Sequence, residues 1–215
     1  MNDIARDVAK ILLEIKAVTL SPEKPYRFAS IPFSPIYCDN RLLMSYPEKR
    51  KKIIDYFVDV IKEKGIDFDV VAGIASSGIP HAAWLAEKLG KPMIYVRKKT
   101  KDHGKENLIE GDLKKGQKVV IVEDLISTGG SSVSGVEAVR SQGGIVEHCL
   151  AIFTYEMDKA KENFRNAGCE LIALSDFTTL IEVASEKNYI KSEDKRKTLE
   201  WNKDPQSWGK KMGFE

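Results

Sequence analysis

The chain has 215 residues, 42% of them hydrophobic, enough for one sizeable core; one large domain, alone or with a small accessory element, is expected. Its 34 basic and 32 acidic residues leave a formal net charge of +2, without the basic excess that general nucleic-acid binding requires. No apolar run approaches the ~20 residues of a membrane span, no signal-peptide layout opens the chain, and Cys38, Cys149 and Cys169 form no C-x-x-C pair, so a reduced cytoplasmic setting is expected.

Ile4, Val8, Ile11, Leu12 and Ile15 fall on one helical face, which predicts an opening amphipathic helix. Residues 20–47 hold five prolines and several aromatics, a composition for extended strands and turns rather than helix. Ile53, Ile54, Phe57, Val58 and Ile61 predict a second helix, closed by Gly65. From residue 68 apolar strands and helices alternate. Strand 70–75 leads through the small-residue turn Ala75-Ser76-Ser77-Gly78 into helix 79–89, and strand 93–96 precedes a long polar stretch, 97–112. Strand 118–122 leads to helix 131–141, and strand 145–153 carries Cys149 as a small core residue. Helix 158–167, strand 171–174 and helix 176–183 complete the alternation. The pattern predicts an α/β fold: a parallel twisted sheet flanked by helices on both faces. The charged tail from Ser185, with Trp201 and Trp208 as anchors, reads as a terminal helix packed on the core or on a second subunit.

The run Val119-Val120-Ile121-Val122-Glu123-Asp124-Leu125-Ile126-Ser127-Thr128-Gly129-Gly130-Ser131-Ser132 carries the most chemistry. Its apolar part reads as a buried parallel strand, and the acid pair is expected where that strand ends, the place where open α/β sheets bind ligands. Two carboxylates can accept hydrogen bonds from the two hydroxyls of a ribose. The Ser, Thr and Gly residues let backbone N–H groups close round a phosphate at the positive end of the next helix. The bland alternatives are a solvated acidic turn and an ordinary helix N-cap at Ser131. No Gly-Lys-Ser/Thr follows, so this is not a P-loop, nor is it a G-x-G-x-x-G dinucleotide loop.

The run resembles the phosphoribosyl-pyrophosphate (PRPP) motif of the type I phosphoribosyltransferases. A reaction that displaces pyrophosphate from ribose C1 builds positive charge on the sugar, which Glu123 and Asp124 would stabilise without acting as nucleophiles. The basic stretch Arg97-Lys98-Lys99-Thr100-Lys101-Asp102-His103-Gly104-Lys105 would then supply cations to the leaving group and act as a closing lid. The turn at Ser76, Ser77 and Gly78 would cradle the pyrophosphate. His81, one turn into the next helix, reads as a packing or capping residue.

Four further segments narrow the resemblance to the orotate phosphoribosyltransferases: Ser34-Pro35-Ile36-Tyr37-Cys38-Asp39-Asn40-Arg41, Gly78-Ile79-Pro80-His81-Ala82-Ala83-Trp84, Tyr95-Val96-Arg97-Lys98 and Lys101-Asp102-His103-Gly104. The resemblance implies transfer of phosphoribosyl from PRPP to orotate, giving orotidine 5′-monophosphate and pyrophosphate in pyrimidine synthesis. It implies PRPP binding by Arg97, Lys98, Lys101, His103, Glu123, Asp124, Leu125, Ile126, Ser127, Thr128, Gly129, Gly130 and Ser131. Lys101 would be the main catalytic cation beside Asp124, Ser127 would also touch orotate, and Mg2+ would ride on PRPP without a direct protein ligand set. It further implies a homodimer with shared active sites, and a small hood of about residues 1–65 plus the tail over a PRPP-binding core of about 66–185. The chain departs from the family at Ser30-Ile31-Pro32-Phe33-Ser34-Pro35, where Gly and Lys are usual at the positions of Ile31 and Phe33. A cation for the orotate carboxylate is then missing or comes from elsewhere, such as Arg27 or Arg41. A second departure is Phe153-Thr154-Tyr155-Glu156, which lacks the arginine that some members place near there for orotate. The alternatives are transfer to another base, with Phe33 stacking on a purine, and a PRPP-sensing regulator.

Overall fold

The computed structural model describes residues 2–28, 31–97 and 108–214. The opening helix α1 (Asn2–Glu14) buries Val8, Ile11 and Leu12 as the 3.6-residue spacing requires. A two-stranded antiparallel hairpin follows, β1 (Val18–Leu20) and β2 (Ile36–Cys38). The proline-rich segment is not wholly extended: a 3-10 helix, Asn40–Ser45, stands after β2, begun by the Asp39 carboxylate accepting from Arg41 N–H. Helix α2 (Pro47–Lys64) starts on a proline, whose missing N–H costs nothing there, and ends at Gly65 with φ 64°.

The main sheet has six strands: β3 (Val70–Ile74), β4 (Met93–Val96), β5 (Ile109–Glu110), β6 (Lys118–Ile126), β7 (Ile145–Thr154) and β8 (Glu170–Asp176), in the order β5-β4-β3-β6-β7-β8. All neighbours are parallel except β5, a two-residue antiparallel edge strand inside the stretch read as polar loop. It is too short to leave a periodic signal. Helices α3 (Gly78–Leu89), α4 (Gly130–Ser141), α5 (Asp158–Asn166) and α6 (Phe177–Glu186) make the crossovers. Asp176 is the N-cap of α6, not its first residue, and accepts from Thr179 N–H at 2.7 Å.

Successive residues on each strand feed two separate cores. Val71, Val120, Val122 and Leu150 pack with α1, α2, α3 and α6; Val70, Ala72, Val119, Ile121 and Cys149 pack with α4 and α5. Burial on both sides explains why β3 and β6 read as unbroken apolar runs rather than alternating ones.

The tail is not one helix. It folds as α7 (Ser192–Leu199), a 3-10 turn (Trp201–Lys203) and α8 (Trp208–Lys211), laid on the chain's own core. Trp201 and Trp208 are buried, and their indole N–H groups donate to the carbonyls of Phe33 and Lys197. The tail therefore closes on the segment between β1 and β2, 168 residues away in sequence.

Candidate active site

The acid pair does not follow its strand; it lies inside it. β6 continues to Ile126, and Glu123 and Leu125 stay in register with Ala151 and Phe153 of β7. The two carboxylates interrupt the apolar pattern without interrupting the ladder. Ile126 is 1% exposed with its side chain in the α4–α5 core, so its side chain is out of reach of a ligand. The turn Ser127–Gly129 then reaches α4 through Gly129, whose φ of 76° suits a residue without a Cβ. Gly129, not Ser131, is the N-cap; Ser131 lies within the first turn of α4. Asn163 of α5 donates to the Thr128 carbonyl at 2.8 Å, and Ser127 Oγ lies 3.8 Å from Met157 Sδ, so α5 braces the turn from behind.

Across from it, β3 ends in Ala75-Ser76-Ser77, with a cis peptide between Ala75 and Ser76, and α3 starts at Gly78. A Cβ on Gly78 would collide with the Val122 carbonyl, so glycine allows the α3 N-terminus to abut β6 beside the acid pair. The 3-10 segment supplies a third wall. Arg41 forms a fork on Asp39, with Nε–Oδ1 at 2.6 Å and Nη2–Oδ2 at 2.9 Å. That pairing holds the Asp39 carboxyl below its ordinary value.

These walls enclose a cleft of about 240 Å³ lined by Ser76, Ser77, Glu123, Asp124, Leu125 and Ser131, with Ala75, Cys38, Asp39 and Arg41. Glu123 is 7% exposed. Burial raises the Asp124 carboxyl above its ordinary value, against the N–H groups of Leu125 and Asp124, which lower it. Larger hollows of about 470 Å³ flank α5, but none of the sequence-picked site residues lines them. The chemistry of the walls, rather than volume, identifies the cleft.

Some expected residues stand apart. Arg97 closes β4, donating its N–H to Leu108 O at 2.8 Å and holding Glu110 at 3.4 Å. Ser127, Thr128, Gly129 and Gly130 form the turn beside the cleft without lining it. Lys98, Lys101 and His103 lie outside the described residues. His81 is a packing residue: 1% exposed, edge-on to Trp84 at 5.5 Å, with no hydrogen-bond partner on either ring nitrogen and its pKa lowered by burial to about 4. Phe33 is not offered to a base. Its ring packs on Phe214 at 5.8 Å and against Gly209, where any Cβ would strike it, and the Arg27 guanidinium lies 4.7 Å over its face. Of the two arginines considered from sequence, Arg41 reaches the cleft lining. Asp39 was not singled out; its place beside Arg41 in a segment shared with the family resemblance was the available signal.

Parallel α/β sheet, serine turn, acid pair and hydroxyl-rich helix start meet at one cleft, an arrangement of the ligand-binding α/β class. The family model of the phosphoribosyl transferase domain matches residues 44–172. The chain is 54% identical to the orotate phosphoribosyltransferase of Coxiella burnetii, over 95% of this chain and 98% of the relative. It is 50% identical to that of Enterococcus faecalis, over 98% and 100%. The crystal structure of orotate phosphoribosyltransferase from Aeropyrum pernix superposes with a TM-score of 0.73 at 31% identity, covering 81% of this chain and 96% of that one. The chain belongs to the phosphoribosyltransferase family and, within it, to the orotate phosphoribosyltransferases.

Proposed function

We propose that the chain transfers the 5-phosphoribosyl group of PRPP to N1 of orotate, releasing pyrophosphate and forming orotidine 5′-monophosphate for pyrimidine synthesis. The observation that carries this reading is the convergence of Ser76–Ser77, Glu123–Asp124 and Ser131 on one cleft, in a chain so similar to named orotate phosphoribosyltransferases. In the reaction the bond from ribose C1 to the diphosphate oxygen breaks, a bond from C1 to N1 of orotate forms, and the N1 proton passes to the released pyrophosphate. Glu123 and Asp124 hold the ribose hydroxyls and offset the positive charge that develops on the ring. The turn Ser127–Gly129 and the start of α4 hold the 5′-phosphate by backbone N–H groups, with Ser127 also toward the base. Ser76, Ser77 and Gly78 receive the diphosphate, and Arg97, Lys98, Lys101 and His103 supply cations to it, with Lys101 the main one. Arg41, exposed on the cleft rim, is our candidate for the orotate carboxylate.

No group of three or more His, Cys, Asp or Glu side chains among the described residues is arranged to hold a metal ion. Mg2+ would arrive on the diphosphate of PRPP and neutralise charge on the leaving group, with the Glu123 and Asp124 carboxylates on the cleft wall able to face it. We further propose that the N-terminal hairpin and the tail form a hood over the cleft, supported by the Trp201–Phe33 bond. A homodimer with shared sites is supported by three exposed large apolar side chains, Leu42, Met44 and Tyr46, on or next to the segment that also bears Arg41. A cytoplasmic setting is supported by three free cysteines, and no helix among the described residues is long and apolar enough to cross a membrane.

The test is loss of orotate absorbance with PRPP and Mg2+, beside Lys101→Ala. Turnover that the variant loses by a factor of ~10² or more supports both the reaction and the cation. PRPP binding without consumption of orotate would refute orotate as acceptor and lead to a panel of other bases.

A further inference from the structure

Between the cleft residues Asp39 and Arg41 stands a side chain that the proposed mechanism does not use. Asn40 is 0% exposed. Its Nδ2 donates to the backbone carbonyl of Asp124 at 2.7 Å, and its Oδ1 accepts from the Cys38 thiol at 3.3 Å. The two partners fix which end of the amide faces which, because a carbonyl oxygen can only accept. The bond spans 84 residues of sequence and joins the hairpin segment to the strand that carries the acid pair.

The sheet explains why Asp124 needs such a partner. The β3–β6 pairing ends at Gly73–Val122, two residues before Asp124, since β3 turns off into the serine loop at Ala75. Past Val122, β6 keeps only its β7 neighbour, whose ladder runs through Ala151 and Phe153 to Thr154. No β3 residue pairs with Asp124; the Asn40 amide donates to its carbonyl instead. The segment is tied down at its other end as well, by Asp39 N–H donating to the Ala17 carbonyl at 2.7 Å.

We propose that Asn40 is a positioning residue for the transfer reaction: by replacing the missing strand partner of the Asp124 carbonyl, it fixes where the Asp124 carboxylate meets the ribose. The inference rests on reading Asp124 as a ribose-binding carboxylate. A site group displaced by about 1 Å loses rate on the order of 10²-fold, so a single buried amide has leverage here.

The experiment is a double-mutant cycle on the full chain with Asn40→Ala and Asp124→Asn, read as kcat/KM for PRPP and as PRPP affinity by calorimetry with Mg2+ present. Asn40→Ala alone is expected to lower kcat/KM about 10- to 100-fold, whereas in the Asp124→Asn background it lowers it by less than about threefold, since the two act as one unit. Equal losses in both backgrounds, or no loss in the first, would overturn the proposal and leave Asn40 as ordinary packing. Asn40→Leu keeps the volume and drops the donor, so it carries the same expectations should the alanine variant not fold. The calorimetric arm is independent of the acceptor. If orotate is not consumed, the orotate reading fails, while non-additive loss of PRPP affinity still supports the role of Asn40.

Discussion

On one wall of the cleft, Glu123, Asp124 and Ser131 follow one another along a single strand, turn and helix, and the strand is buried on both faces. On the other wall, Asp39 and Arg41 stand on a 3-10 turn after a three-residue strand, held by Asp39 on the Ala17 carbonyl and Asn40 on the Asp124 carbonyl, while the tail bonds the chain upstream at Phe33. The first wall is rigid because sheet ladders and two cores hold it; the second depends on a few contacts between distant segments. A site that grips one substrate by phosphates and sugar hydroxyls and a second by its base can use both kinds of wall. On the proposed reading, the donor half lies where the fold is stiffest and the acceptor half where loop changes can retune it.

Three substitutions sharpen this contrast. The largest effect is expected from Asp124→Asn on the rigid wall. Loss of one preorganised charge should lower kcat/KM by ~10²–10³-fold. Stability at neutral pH should hold or rise slightly, because burial raises the Asp124 carboxyl and its ionised form therefore weakens the fold there. Kinetics and thermal unfolding on one preparation test both halves; an unchanged rate would move the ribose wall elsewhere.

Phe33→Ala probes the assembled wall. Removing the ring from between Phe214, Gly209 and Arg27 should cost about 2 kcal/mol, less than a fully buried phenylalanine because Phe33 is half-buried. The KM for orotate should rise several-fold while that for PRPP stays within about twofold, if the walls are mechanically separate. Parallel rises in both KM values would mean that the tail braces the whole cleft.

The smallest effect belongs to His81, buried on α3 against Trp84. Its pKa is about 4 in the fold and near 6.5 when unfolded, so the unfolded chain binds the extra proton as pH falls between those values. Stability is therefore full above about pH 6.5 and is reduced by roughly 2 kcal/mol at pH 5. His81→Leu should remove that slope and cost little at pH 7, since it replaces two ring nitrogens that have no partner. Urea midpoints at pH 7 and 5 for both proteins decide it; an equal pH slope in the variant would assign the titration to another group.

How far each region was legible follows from the same difference. The strand–acid–turn–helix order could be read directly, because local pattern and tertiary role coincide there. Even so, β6 ran four residues past its expected end, since ladder bonds ignore the polarity of Glu123 and Asp124. β5 is two residues long and is held by Tyr95 and Val96 of β4, a pairing with no local periodicity. The sequence invited Phe33 to stack on a base; the approach of Gly209 from the far end of the chain takes the ring instead.

By itself the sequence determined the α/β alternation, the buried parallel strands, the donor motif and the family, because each depends on the periodicity or order of neighbouring residues. Only the tertiary structure decided that Arg41 and Asp39 join the acid pair, that Phe33 packs against the tail, and that Asn40 donates to the Asp124 carbonyl. Those facts rest on contacts between segments tens to hundreds of residues apart, and chain order does not encode such contacts until the sheet and its two cores bring the segments together.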